Sequence, residues 1–161
     1  MREKAWAPLS RSAKPSSRAI KAAERGEARQ VHETRLRVRY SETDAQGVVN
    51  NANYLSYFEV GRVEWLRAAG LSYREMEKRG YGFVVVEALV HYKKAAFFDD
   101  ELTLHTELVG LKRATLSFGY TILRDGEVVA TGRTRHGCVE LATGKPRRVP
   151  EIFDLDRGIL P

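Results

Sequence analysis

One helix in this chain is apolar around most of its circumference, and after one short polar helix the rest of the chain reads as strand. From Tyr54 onward, Leu55, Phe58, Val63, Trp65, Leu66 and Ala69 recur at helical spacing up to Gly70, the residue type that closes helices in the left-handed conformation. A helix with that much apolar surface must be wrapped by something else. A second, polar helix is expected from Ser72, with Glu75 completing a capping box and Gly80 as its stop. Past Gly82 the period falls to two, and strands are expected over about 83–94, 101–112, 114–124 and 127–141. Asp125-Gly126 between the last two is a strong hairpin signal, and Thr143-Gly144 marks a further turn. Ahead of the helix, Leu36, Val38 and Tyr40 alternate with Arg35, Arg37 and Arg39, a half-buried strand beginning near Val31. This order predicts an α+β fold in which one antiparallel sheet curls around one long central helix. Such a sheet leaves an exposed edge, most simply managed by pairing with a second copy.

The charge is unevenly placed. The chain of 161 residues carries a net +6. Residues 1–30 hold eight basic residues against three acidic, and the remainder nineteen against eighteen. The body is therefore close to neutral, and nucleic acid is not expected as a partner. The extension has only Leu9 and Ile20 as aliphatics above alanine. It is expected to be disordered apart from a short helix over Ser17–Arg25, leaving residues 31–161 as the single domain. It lacks the apolar core of a secretory signal, and no apolar run is long enough to span a membrane. The lone Cys138 has no disulfide partner within the chain, which fits a reducing cytoplasm, and it reads as a small buried hydrophobe on a strand.

Little in the sequence suggests metal or serine chemistry. His32, His91, His105 and His136 are scattered without ligand spacing, and no nucleophile elbow or phosphate loop occurs. His105 and His136 are expected to be satisfied structural histidines on strands. What remains is the linker Ser41–Tyr54 between the first strand and the buried helix. Open backbone N–H groups at a helix start are preorganised for an oxygen bearing negative charge. Asp44, in a loop that Gly47 lets fold back, can face the same spot, and attack on a thioester carbonyl needs both features. The competing reading is that Asp44, Asn50, Asn51 and Asn53 only cap turns and the helix.

The stretch Val38–Val49, with its Thr-Asp-Ala-x-Gly-Val-Val core, and Asn53–Glu59 after it resemble the signature of the 4-hydroxybenzoyl-CoA thioesterase family. Tyr92-Lys93-Lys94 before Asp99-Asp100, and Gly132–Val139 on the last strand, continue the likeness across about residues 31–153. The resemblance implies a hotdog fold, a homodimer that often pairs into a homotetramer, and hydrolysis of an acyl-CoA substrate with no metal or other cofactor. It assigns the catalytic carboxylate to Asp44, as nucleophile or general base, and the oxyanion donor to the backbone N–H of Asn51. It also sets Gly47 and Val48 against the substrate. Some relatives carry histidine or tyrosine at position 51, so acid–base help from a histidine is not available here. A backbone donor survives the change, and the asparagine amide could hold a water or the thioester oxygen.

The same resemblance points to Glu59 as a contact for the far end of the acyl group. A buried-helix carboxylate needs a partner, however, and Arg62 one turn on is expected to supply it. Lys112 and Arg113 match a strand-end position that contacts CoA phosphates across the subunit boundary. Read without the family, two adjacent cations at a turn are a solvated end. The acyl chain is not fixed by the sequence, because pocket length depends on how side chains such as Phe83, Phe97, Phe98 and Phe118 pack at the dimer interface. An acyl-ACP thioesterase would share this chemistry. An acyl-CoA-binding DNA regulator would need a folded helix-turn-helix ahead of the domain, which residues 1–30 cannot form.

Overall fold

The computed structural model describes residues 31–153, so the N-terminal extension and the helix expected at Ser17–Arg25 lie outside the described residues. Five strands form one sheet: β1 (His32–Arg37), β2 (Tyr81–Tyr92), β3 (Glu101–Leu111), β4 (Thr115–Arg124) and β5 (Glu127–Glu140). Their order across the sheet is β1-β3-β4-β5-β2, with every neighbour antiparallel. The long helix α1 (Asn53–Ala68) lies on one face, followed by the short α2 (Tyr73–Lys78), whose first turn is capped by Ser72. Asp125 and Gly126 both have positive φ, 51° and 80°, as the β4–β5 hairpin turn requires. No helix among the described residues is long and apolar enough to cross a membrane.

Period-two alternation places the core. Leu102, Leu104, Thr106 and Leu108 of β3 are buried, as are Leu116, Phe118, Tyr120 and Ile122 of β4 and Thr134, His136 and Cys138 of β5. They meet Tyr54, Tyr57, Phe58, Trp65 and Leu66 of α1. Phe58 stacks on Tyr120 with ring centroids 4.1 Å apart, and Trp65 meets Phe118 edge-on at 5.4 Å. Two glycines allow this closeness. A Cβ at Gly61 would overlap Thr106 and Leu104 beneath the helix, and one at Gly132 would overlap the Phe58 ring. Glycine in mid-helix costs about 1 kcal/mol relative to alanine, and here it lets α1 settle directly onto β3.

Two expectations need correction. The first strand ends at Arg37, and Tyr40 opens a 3-10 turn (Tyr40–Glu42). Tyr40 is 76 % exposed and packs edge-on against Phe98 rather than entering the core. The helix is covered on one side only, by the sheet, so Leu55 and Val60 stand exposed.

The sheet edges differ. β1 is short and bears Arg35 and Arg37 paired with Glu33 and Glu101. β2 is twice as long, carries a bulge between Val85 and Glu87, and exposes Val84, Val85, Val86 and Leu89. Val84 and Val86 lie over Gly137 on the face away from α1, while Val85 lines a cavity beside the helix.

Candidate active site

The linker between β1 and α1 folds into two successive turns. After the 3-10 turn, Thr43 and Val49 pair as an isolated antiparallel bridge that closes the loop Asp44–Val48. Within it the Asp44 N–H donates to Val48 O at 3.0 Å and the Gly47 N–H to Asp44 O at 2.9 Å. Gly47 has φ 77°, the left-handed geometry expected of the residue that turns the loop back. The Asp44 carboxylate is half-buried and accepts a hydrogen bond from the Gln46 N–H at 2.8 Å. Gly47 is exposed and Val48 half-buried, both in the same loop. The Val49 N–H donates to Ala96 O at 2.8 Å, fixing the loop to the β2–β3 connection.

The asparagines divide their work. Asn50 Oδ1 accepts from the Ala52 N–H at 3.0 Å, and Asn53 Nδ2 donates to Glu42 O at 2.7 Å, so both hold the helix entry, as the capping reading foresaw. Asn51 is exposed, its carbonyl accepts from the Tyr92 hydroxyl at 3.0 Å, and its N–H has no acceptor among the described residues. The helix N-cap, Ala52, offers no side-chain cap. An unused donor at Asn51 thus precedes the positive end of α1.

Glu42 is the residue that sequence reasoning missed. It is buried, and its carboxylate accepts from the Arg39 N–H at 2.8 Å, Arg39 Nε at 2.9 Å, Arg39 Nη2 at 2.8 Å and the Tyr57 hydroxyl at 2.9 Å. Burial pushes its pKa up, but the Arg39 backbone and side-chain bonds and the Tyr57 bond outweigh that and hold the carboxyl below its ordinary value. Burial and the neighbouring carboxylate push the Tyr57 phenol upward. The Glu42 carbonyl also accepts the Asn50 N–H at 2.8 Å. One residue therefore ties the end of β1, the Asp44 loop and the first turn of α1 together. The available signal was parity: Glu42 continues the register of Leu36 and Val38, although exposed Tyr40 between them does not face inward, and a carboxylate turned inward requires partners.

The remaining candidates lie farther off. Glu59 is exposed and forms no ion pair among the described residues, because Arg62 donates instead to the Tyr120 hydroxyl at 3.2 Å. Both line a cavity of about 350 Å³ with Phe83 and Phe118 in its wall. Phe97 and Phe98 do not join it. Both are exposed on the β2–β3 connection, with Arg124 over the Phe97 ring. Lys112 and Arg113 are exposed in the β3–β4 turn. The Asp44 loop is tied through Val49 to Ala96, just ahead of β3, so eleven residues of that strand, about 36 Å at ~3.3 Å each, separate the two cations from the loop. Asp44 and Lys112–Arg113 of one chain are thus not brought together. His136, buried, bonds Thr134 Oγ1 at 2.8 Å, as expected of a satisfied structural histidine.

A sheet lying along one long helix, with a carboxylate loop at the helix entry, is the layout of the hotdog fold. The chain belongs to the thioesterase-like superfamily, whose family model matches residues 38–154. A protein of Aquifex aeolicus is 39 % identical over 123 residues, covering 74 % of this chain and 94 % of its own. The acyl-CoA thioesterase YbgC of Haemophilus influenzae is 35 % identical over 117 residues, covering 72 % and 86 %. Among solved structures, the DHNA-CoA thioesterase of Staphylococcus aureus superposes with a TM-score of 0.74 at 32 % identity, over 80 % of this chain and 87 % of that one.

Proposed function

We propose that this chain hydrolyses acyl-CoA thioesters to free acid and CoA, as an enzyme of the 4-hydroxybenzoyl-CoA thioesterase type. The observation that carries the proposal is the contrast between the Asp44 carboxylate, which among the described residues accepts a bond only from Gln46, and the Asn51 N–H at the helix entry, which has no acceptor among them. Glu42 holds the two segments side by side. With the thioester oxygen on the Asn51 N–H, negative charge develops against an oriented donor and the positive end of α1. Asp44 then either attacks the carbonyl carbon itself or takes the proton of an attacking water. The C–S bond breaks, and CoA leaves as the thiolate and is protonated. Where Asp44 has attacked, water then hydrolyses the mixed acyl–aspartyl anhydride, releasing the acid and restoring the carboxylate. Glu59, Gly47 and Val48 line the acyl path.

The working unit in this proposal is a homodimer joined through the β2 edges, which covers Val85, Leu89 and the exposed side of α1. The outward Val84 and Val86 support further stacking into a tetramer. Two-fold antiparallel pairing of β2 sets the far end of one sheet beside the Asp44 end of the other. The partner copy then supplies its Lys112 and Arg113 turn to the CoA phosphates, which resolves the separation within one chain. The lone Cys138 is buried and fits work in the reducing cytoplasm.

Thiol release from a panel of short, long, branched and aromatic acyl-CoAs tests the reading. Turnover by the natural chain and its loss in Asp44→Asn support it. An inactive natural chain, or an active Asp44→Asn, overturns it. Lys112→Ala with Arg113→Ala is expected to raise KM for acyl-CoA about tenfold and leave kcat nearly unchanged, since phosphate contacts bind substrate and transition state alike.

A further inference from the structure

The cavity beside the second half of α1 is walled by Val63, Leu66, Phe83, Leu116, Phe118 and Phe153, yet its polar lining is unusual for an apolar space. Arg62 reaches into it from α1 and donates to the Tyr120 hydroxyl at 3.2 Å. Tyr120 Oη lies 2.7 Å from Thr134 Oγ1, and Thr134 Oγ1 2.8 Å from His136 Nε2. Tyr120, Thr134 and His136 are 4 %, 2 % and 3 % exposed. Arginine only donates, so Tyr120 accepts from Arg62. Between Tyr120 and Thr134 either oxygen can donate, and His136 Nε2 gives or takes the Thr134 bond according to its tautomer. Burial and the Arg62 charge lower the His136 pKa to about 4, so the ring is neutral at neutral pH. The fixed donors on the cavity wall are therefore the remaining N–H groups of Arg62. Arg62 forms no ion pair with a carboxylate among the described residues.

The position of the cavity sets the length of what reaches it. Arg62 follows Asn51 by eleven residues, a rise of about 16 Å along α1, and Glu59 follows by eight, about 12 Å. An extended chain advances roughly 1.1–1.2 Å per bond, as the polypeptide backbone does. A group held at Asn51 by its thioester thus draws level with Glu59 after about ten bonds and with the Arg62 backbone after about fourteen. The long Arg62 side chain leans back toward the helix N-terminus and meets the shorter chain, whereas a one-ring aromatic acyl group stops short. The cavity volume of about 350 Å³ lies at the lower end of the ~300–1,000 Å³ range of small-molecule sites.

We infer that this cavity receives the far end of the acyl group, and that the preferred acyl chain carries a hydrogen-bond-accepting oxygen about ten bonds from the thioester, held by Arg62. The inference rests on the thioesterase reading only for the direction from which the chain enters. An oxygen there answers donors that an all-hydrocarbon chain would bury unpaired, and leaving buried donors unpaired is what makes a polar site discriminate.

Non-hydrolysable thioethers separate the two proposals, because they report binding without turnover. Isothermal titration of the full chain with S-decyl-CoA, S-(10-hydroxydecyl)-CoA and S-(9-carboxynonyl)-CoA is expected to show about tenfold tighter binding of an oxygen-ended compound. The two oxygen arms distinguish a hydroxyl from a carboxylate, which the nearby Glu59 disfavours. In Arg62→Met the preference ratio falls to within about twofold of one. Arg62→Lys, which keeps a donor, retains part of it, and this guards against a variant that merely misfolds. Equal or tighter binding of S-decyl-CoA to the natural chain, or an unaltered ratio in Arg62→Met, overturns the inference. Oxygen preference without thioester turnover sinks the catalytic reading and leaves this one standing. Turnover without oxygen preference does the reverse, and no binding of any thioether defeats this inference.

Discussion

The turn before Thr43 and the turn after it each present a carboxylate, and the two could hardly be treated more differently. Glu42 is buried, takes three bonds from Arg39 and one from Tyr57, and is held ionised by them. Asp44, two residues on, is half-buried and accepts a single bond from Gln46. A carboxylate whose lone pairs are already engaged is a structural part. One with most of its acceptor capacity open remains available to a substrate or a water. On the proposed function, saturated hydrogen bonding marks Glu42 as scaffold, and open acceptor capacity is what would leave Asp44 free to react.

The largest effect that would break this comparison lies at Asp44. Asp44→Asn is expected to lower kcat by roughly 10²–10⁴-fold with little change in melting temperature. A variant keeping more than about a third of the natural kcat places Asp44 with the scaffold. Glu42→Gln should show the inverse emphasis: a stability loss of about 1–3 kcal/mol in urea unfolding, from weakened charge-assisted bonds, with a smaller fall in kcat. If Glu42→Gln instead abolishes turnover at unchanged stability, Glu42 belongs to the chemistry.

Acidity sharpens the same contrast. The folded-state pKa of Glu42 lies below its ordinary 4.5, so its contribution is complete above that pH and is lost as pH falls through the lower folded value. The stability gap between the natural chain and Glu42→Gln is therefore expected to narrow between pH 6 and about 3. A gap that stays constant or widens on acidification would contradict the depressed pKa. The smallest effect is at Tyr57→Phe, about 1 kcal/mol, because Oε2 of Glu42 keeps its bond from the Arg39 N–H.

How much of this could be read in advance depended on whether the cause was local. The strands and the Asp125-Gly126 turn follow from side-chain alternation and from backbone preferences of single residues, and they emerged within a few residues of expectation. The Asp44 loop was legible as a turn-rich linker ahead of a helix, whereas the roles expected of Asp44 and Asn51 came from the family resemblance. Tyr40 misled because its parity continued a strand whose ladder had already ended at Arg37. The Glu59–Arg62 pair failed for a tertiary reason: helical spacing brings the two near, but Tyr120 on β4 competes for the guanidinium. Glu42 was hidden for the same kind of reason, since its partners include a backbone N–H and a hydroxyl fifteen residues away.

The pair of glycines under α1 has a consequence for how this sequence can drift. Gly132 sits against the Phe58 ring and Gly61 against Thr106 and Leu104. A single methyl at either place acts as a spacer between helix and sheet. Alanine at 132 would lift Phe58, and with it the rigid rod whose first residues carry the Asn51 turn. The rod is anchored at its entry by Asn53 and Tyr92, so lifting its middle tilts it about that anchor. Descendants of this chain are thus free to vary Leu55 or Val60 on the uncovered side, while positions 61 and 132 admit almost no alphabet at all unless a large neighbour shrinks in the same step.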